Sequence, residues 1–389
     1  MQITNVEAFP VSVPLSPLED GGIAPYANAF SDPLESTERV IVRVDTDEGI
    51  SGWSEMRTYL SPETTVSILE DGIEPLVVGR SPFEREAFRH DAVVDFADET
   101  IFFAPIEVAC WDIVGKELGR PVYELLGGWT APEATDPSHR GAPENPDATP
   151  EIPVAYALGI LPPEEAAEKA VDVRDAGYSV LKAKGGLDWK ADVERMIAMH
   201  EAVDGDLEFR LDPNQGWTLD EAVRAAAKLQ DAGVYLQYLE QPIRLDAHGS
   251  LATLRQRTGQ PIAANEDLYV KHNLRQLIAR DAIDAGVIDL TPAGGISGLR
   301  EQAAIAADAG VPLAHHCAFD LGVRTATILH AVAGIPGLPL APDTVYGALG
   351  GDVLADPLTV EDGAIGVPDG PGLGIEIDER ALERYATGE

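Results

Sequence analysis

The sequence predicts an α/β chain built on a closed parallel barrel, with a smaller α+β domain ahead of it. Three observations carry this reading. The phrase Asp-Ala-Gly followed by an apolar run recurs from Asp175, Asp231, Asp284 and Asp308, as expected where helices end on a Gly C-cap and lead into buried strands. Eight apolar runs ending in polar side chains follow one another from Val154: "VAYALGI", "YSVLKAK", "LEFRLDPN", "LQYLEQP", "PIAANED", "GVIDLTP", "VPLAHH" and "LPLAPDT". Eight regularly spaced units favour closure. An open doubly wound sheet would want a phosphate-binding GxGxxG turn after its first strand, and there is none. Near the start, "ERVIVRVDTDEGISGWSE" alternates on either side of Asp47, Glu48 and Gly49, which reads as a hairpin.

In chain order, residues 1–128 form the α+β domain, the hairpin being followed by helical segments such as "APIEVACWDIVGKELG". Residues 129–153 are rich in Pro, Ala, Asp and Glu and read as a solvated linker or inserted loop. Residues 154–346 carry the barrel. Its helices announce themselves individually. "PPEEAAEKAVDVRDAG" has Pro and acids in its first turn, and "TLDEAVRAAAKLQDAG" opens with Thr218 and Glu221 at capping-box spacing. "DWKADVERMIAMHEAVDG" places Trp189, Val193, Met196 and Ile197 on one face. The last segment, 347–389, is too long for a barrel tail and is expected to pack back on the first domain.

The chain carries 66 acidic against 28 basic residues, a formal net charge of -38. The acids are spread along the whole sequence and not gathered in tails. That points to a solvated acidic surface adapted to high salt, as in a halophile, and away from a basic partner. No Lys/Arg stripe is present, so nucleic-acid binding is not expected. The start, "MQITNVEAFPVSVPL", lacks a basic region followed by an apolar one, and no apolar run approaches membrane-spanning length. A cytoplasmic protein without membrane contact is therefore expected. Two cysteines, Cys110 and Cys317, make no disulfide framework and suit a reducing compartment. Cys317 reads as a small buried core residue.

Active sites in parallel barrels gather at the carboxyl ends of the strands. Those tips carry Lys182, Lys184, Asp212, Asn214, Glu240, Glu266, Asp289, His316 and Asp343. Side chains two apart in a strand face the same way, so Lys182 and Lys184 project together into the mouth. Asp212, Glu240 and Glu266 come from three successive strands and offer hard carboxylate oxygens, which suit Mg²⁺. A single acid at a strand end commonly caps the next helix. Three in register repel one another and call for a cation.

With these residues in place the chain resembles a known family. The words "GISGWSE", "APIEVACWDIVGKELGRPVYELLGG", "VLKAKGG", "RLDPNQGW", "YLEQP", "GGISGLREQAAIAADAGVPLAHH" and "PDGPGLGI" are similar to those of the enolase superfamily. The branch is the mandelate racemase/muconate lactonizing enzyme family, and the likeness spans nearly the whole chain. It implies a modified TIM barrel, (β/α)7β, under an N-terminal α+β capping domain. It implies one Mg²⁺ per chain held by Asp212, Glu240 and Glu266, a small carboxylate substrate and a homo-oligomer. The implied chemistry removes the proton next to the substrate carboxylate through an enediolate.

Two layouts compete within that family. Muconate lactonizing relatives carry a lysine at the sixth strand and an aspartate as third metal ligand, where this sequence has Asp289 and Asn265. The mandelate racemase-like layout, with a glutamate ligand and an Asp-His dyad, matches Glu266, Asp289 and His316. By this resemblance Asp289 holds one imidazole nitrogen of His316, with His315 a rival for the role. Lys184 is the base on the other face and Lys182 lies nearer the carboxylate and metal. A neighbouring ammonium and burial are expected to push these lysines below their usual pKa of about 10.4. Asn214 and Asp343 are expected on substrate oxygens, although many relatives have a glutamate where Asp343 stands. Acid-sugar (aldonate or aldarate) dehydration is the first reading of the overall reaction. Racemisation or epimerisation of a 2-hydroxy or amino acid derivative, cycloisomerisation, and a metal-binding barrel without turnover are the alternatives. Substrate identity is expected to sit in the loop "SPLEDGGIAPYANAF".

Overall fold

The computed structural model describes residues 1–58, 60–95, 101–128 and 149–387. Its first sheet is antiparallel, in the order β1 (Ile3–Pro14), β2 (Ser36–Thr46), β3 (Ser51–Arg57). The β2–β3 turn closes where the sequence places it, with Gly49 at φ +78° and the Thr46 hydroxyl accepting from Ile50 N. Val40, Val42, Val44 and Met56 bury one face of this sheet against Ile106, Ala109 and Ile113 of the helix Ala104–Leu118. The approach is so close at Gly52 that a Cβ there would lie 2.1 Å from the Ala109 carbonyl oxygen.

The second sheet is the barrel. Its strands are β5 (Ala155–Leu158), β6 (Val180–Lys184), β7 (Glu208–Asp212), β8 (Tyr238–Glu240), β9 (Ile262–Ala264), β10 (Ala285–Ile288), β11 (Leu313–His315) and β12 (Asp343–Thr344). They pair in parallel in the order β11-β10-β9-β8-β7-β6-β5-β12. Between β11 and the approach to β12 a single backbone bond, Leu340 N to Leu313 O at 3.3 Å, joins the edges. Ahead of the barrel, β4 (Glu151–Pro153) pairs antiparallel with β13 (Ala364–Gly366). The linker predicted over 129–153 falls outside the described residues for 129–148.

Helices Pro163–Asp175, Trp189–Ala202, Leu219–Asp231, His248–Arg257, Asn273–Ala279, Ile296–Asp308 and Gly322–Gly334 stand between successive strands, which makes the barrel (β/α)7β. The capping box of Thr218 and Glu221 is formed, and Val193 and Met196 are buried. Gly177, Gly233 and Gly310 close three of the helices at positive φ. The third Asp-Ala-Gly phrase, at Asp284, behaves differently. Gly286 lies inside β10, paired on both sides, and the preceding helix has already stopped at Ala279. The reason is Asp284, whose carboxylate accepts from Ile262 N at 2.9 Å and Arg255 Nε at 2.9 Å, fixing the strand start there.

Buried acids of the first domain join it to the barrel. Glu107 accepts from Ile296 N (2.8 Å), Ser297 N (3.0 Å) and Trp111 Nε1 (2.8 Å). Glu55 accepts from Leu321 N (2.8 Å) and Arg324 N (2.9 Å). Each thus satisfies the free amides at a barrel helix's N-terminus, where negative charge is favoured. Beyond the barrel the chain returns to the first sheet: Ala386 bridges Val11, and Leu382 packs with Val11, Val13 and Ile41.

Candidate active site

A cavity of about 610 Å³ opens at the carboxyl ends of the strands under the first domain. Lys182, Lys184, Asn214, Glu266, His316 and Asp343 line it on the barrel side, and Tyr26, Asn28 and Phe30 of the predicted cap loop line it from above. Cys317 also reaches this wall and is only partly buried, which corrects its reading as a core residue. It follows His316 where the chain leaves β11 and turns along the mouth.

Lys182 is the centre of the charge network. Its ammonium lies 2.7 Å from Glu240 Oε1, 2.9 Å from Asp343 Oδ2 and 3.2 Å from Asp212 Oδ2. Lys184 donates to Asp212 Oδ2 at 2.7 Å. The two lysines project together, yet the expected lowering does not hold for Lys182. Burial pulls its pKa down, but Asp343, Glu240 and Asp212 outweigh burial and raise it well above the usual lysine range. Lys182 is an ammonium held by carboxylates and no base.

The three proposed cation ligands do not draw tightly together. Among the described residues, the acidic group whose ligand atoms gather within 4.8 Å at the mouth is Glu240, His316 and Asp343. Lys182 explains the difference, since its ammonium occupies the space that Asp212 and Glu240 share. Asp343 is nevertheless a poor ligand, because its two oxygens are taken by Lys182 and by Arg210 Nη1 at 2.6 Å. Those pairs also correct the expectation that Asp343 binds substrate: it anchors Lys182. Glu240 Oε2 and Glu266 Oε2 are buried without a hydrogen-bond partner. Burial first, and then Asp212, raises the pKa of both carboxyls, Glu240 well above the usual range. Orphaned carboxylate oxygens that resist ionisation fit a hard divalent cation. Asn265 and Glu266 both line the cavity; the Nδ2 of Asn265 donates to Val287 O at 2.9 Å, and its Oδ1 is buried without a hydrogen-bond partner. Asn214, at φ +47°, donates to Glu266 Oε1 at 3.4 Å, and its Oδ1 is buried and unpartnered.

The expected dyad is not formed. Asp289 Oδ1 accepts from Arg324 Nη2 at 2.6 Å and Thr291 N at 2.9 Å, and the Nδ1 of His316 has no hydrogen-bond partner. A buried guanidinium is a stronger partner for a buried carboxylate than a neutral imidazole. Although burial opposes it, Arg324 and then His315 hold the Asp289 pKa below its usual value. Arg324 lies in the helix after β11, and no sequence spacing exposed it as this partner. His315 is fully buried, its Nε2 accepts from Leu290 N at 3.0 Å, and burial followed by Arg324 lowers it to about 4. His316 lines the cavity, and burial, Lys182, Lys184 and Arg57 push it well below the usual histidine value. It is therefore a neutral imidazole.

A barrel whose strand tips join two lysines to a set of orphaned carboxylates, beneath an α+β cap, defines an enolase-type isomerase or lyase. Residues 165–381 match the enolase C-terminal domain-like family and residues 22–127 the mandelate racemase/muconate lactonizing enzyme N-terminal domain. The chain belongs to the mandelate racemase/muconate lactonizing enzyme family of the enolase superfamily. It is 30% identical to the N-succinyl-L-Arg/Lys racemase of Bacillus cereus across 100% of this chain and 98% of the relative. The solved structure of that racemase superposes with a TM-score of 0.88 at 27% identity, covering 100% and 99% of the two chains. The L-Ala-D/L-Glu epimerase of Bacillus subtilis is 28% identical over 96% of this chain and 97% of its own. The cis-3-hydroxy-L-proline dehydratase of Roseibium aggregatum is 26% identical over 96% of each.

Proposed function

We propose that this pocket removes the proton next to a substrate carboxylate, with Lys184 serving one face of that carbon and His316 the other. The observation that carries the reading is that Lys184 and His316 line one cavity together with Glu266, whose Oε2 is buried and unpartnered, while Glu240, with its own orphaned Oε2, is bound to the cavity-lining Lys182. Asp212, Glu240 and Glu266 would hold Mg²⁺, which when bound acidifies the α-proton by drawing charge from the substrate carboxylate. Lys182, fixed as an ammonium by its three carboxylates, donates to the same substrate group. His316, neutral and cavity-facing, accepts a proton at an imidazole nitrogen.

The overall reaction we propose first is dehydration of an acid sugar. His316 takes the α-proton and returns it to the β-hydroxyl, the Cβ–O bond breaks, water leaves, and the enol tautomerises to a 2-keto acid. A neutral imidazole that must first collect the proton it later delivers suits this order. Asp289, in place of a sixth-strand lysine, keeps a second ammonium off that wall. Racemisation is the second reading, with His316 taking the proton and Lys184 supplying one on the opposite face. It is favoured by the activities named for the racemase and epimerase relatives, each matched over nearly its whole length. Incubation with Mg²⁺ in D₂O, against panels of acid sugars and N-acyl amino acids, separates them. Dehydration gives a 2-keto acid trapped as its semicarbazone, whereas racemisation gives α-deuteration with loss of optical rotation. Protein that exchanges no α-proton from either panel removes the proposal.

A further inference from the structure

We infer that Arg210 is a positioning residue: it divides Lys182 between Asp343 and the cation ligands, and so sets the balance between metal and carboxylate affinity at the mouth. This rests on the reading above for which residues hold the cation and for Lys182 as donor to the substrate carboxylate. Arg210 in β7 is paired with Lys182 of β6 on one side and Tyr238 of β8 on the other. It is fully buried and is not among the residues lining the cavity. A guanidinium taken out of water needs defined partners. Its Nε donates to Gln237 Oε1 at 2.7 Å, and its Nη1 donates to Ala341 O at 2.9 Å and to Asp343 Oδ1 at 2.6 Å. Its Cζ stands 4.8 Å from the centroid of the Tyr238 ring, while Nη2 has no hydrogen-bond partner. A cation fixed on these sides holds Asp343 in place.

Asp343 is the shared element. Its Oδ1 goes to Arg210 and its Oδ2 to Lys182 at 2.9 Å. Lys182 spends its other contacts on Glu240 Oε1 at 2.7 Å and Asp212 Oδ2 at 3.2 Å, two of the proposed cation ligands. An ammonium among three buried carboxylates settles nearest the one with the least compensated charge. With Arg210 present, Asp343 is already served, and Lys182 rests against Glu240, where it competes with the metal. Without Arg210, Asp343 would claim Lys182, uncovering Glu240 and Asp212 and leaving the cluster one charge more negative. Both changes favour a divalent cation and both oppose a carboxylate. Removing Asp343 instead leaves Arg210 uncompensated and throws Lys182 onto Glu240 and Asp212, which is the reverse. Damage to the barrel alone would weaken both ligands.

The test reads two affinities at pH 8 in molar KCl: Mn²⁺ by paramagnetic titration, and glycolate, a minimal 2-hydroxy carboxylate, by calorimetry on Mg²⁺-saturated protein. Arg210→Met is expected to bind Mn²⁺ at least threefold more tightly than wild type and glycolate at least tenfold more weakly. Asp343→Asn is expected to bind Mn²⁺ at least threefold more weakly and glycolate no more weakly than wild type. The double variant restores the charge balance and should return both affinities to within threefold of wild type. Melting curves confirm that the variants fold, and should Arg210→Met fail to, the opposed signs in Asp343→Asn decide. Mn²⁺ binding that is unchanged or weakened in Arg210→Met, or both ligands weakened in Asp343→Asn, overturns the inference. Wild-type protein that takes up no Mn²⁺ sinks the cation reading, and the inference falls with it. Wild-type Mn²⁺ binding that neither variant moves sinks the inference alone.

Discussion

Replacing Lys182 by methionine removes the charge around which the mouth is organised, and the structure says where the cost falls. Asp212 retains Lys184 at 2.7 Å and Asp343 retains Arg210 at 2.6 Å. Glu240 keeps nothing: its Oε1 loses the bond to Lys182 and its Oε2 already has no partner. Leaving one buried carboxylate uncompensated costs about 3–5 kcal/mol. The carboxyl of Glu240 is already raised, by burial first and Asp212 second, and the variant raises it further. A folded state that binds more protons than the unfolded chain loses stability as pH climbs above the ordinary carboxylate range. Lys182→Met should therefore be near wild type at pH 5 and progressively weaker towards pH 8. Magnesium should recover much of the deficit, about 2.7 kcal/mol at a hundredfold excess over its Kd. Urea midpoints across that pH range, with and without Mg²⁺ in molar KCl, measure all three effects. A loss below about 1 kcal/mol, or one indifferent to both pH and Mg²⁺, would show that Glu240 needs no positive neighbour and refute the cation site built on it.

Other perturbations address separate parts of the reading. Glu266→Gln should weaken Mn²⁺ binding at least tenfold by paramagnetic titration while Asn265→Ala leaves it unchanged; the reverse pattern would move the third ligand to Asn265. With a base on each face, His316→Asn should stop overall turnover yet keep α-proton exchange from the Lys184 face, and Lys184→Ala should abolish that exchange; loss of all exchange in His316→Asn would leave His316 as the single base of the dehydration reading, and full turnover by His316→Asn would return the role to His315. Because the acidic charge is spread over the chain, melting temperature should climb from low to molar KCl, and flat or falling melts would remove the high-salt reading.

The strands were legible because each apolar run ends in polar residues that cannot stay in the core, and eight such endings can share only one rim. Gly286 shows the limit of that logic. The same three letters end a helix at Gly177 and lie inside a strand at Gly286, and what decides is Asp284 binding Arg255 and Ile262 from elsewhere in the chain. The site divides in the same way. Which residues reach the mouth follows from strand period and could be read. Which charge each one takes as partner depends on Arg210 and Arg324, fully buried side chains on other elements whose reach has no sequence signature. Hence Asp289 was expected on His316 and is found on Arg324, and Asp343 was expected on substrate and is found on Lys182.

Those partnerships also bear on what the mouth is built to receive. Lys182, Lys184 and Arg210 face Asp212, Glu240 and Asp343 in direct ion pairs, so the deep cluster is balanced in formal charge. Glu266 is left over, in hydrogen-bonding contact with the neutral amides of Asn214 and Gln215. A divalent cation added to this cluster brings two positive charges against that one carboxylate, and the site then has one charge to fill: a single substrate carboxylate restores neutrality. A second carboxylate on the same substrate finds no countercharge at that depth and would be expelled from a low-dielectric pocket. The charge balance of the deep site thus favours a substrate that brings one carboxylate to the strand tips.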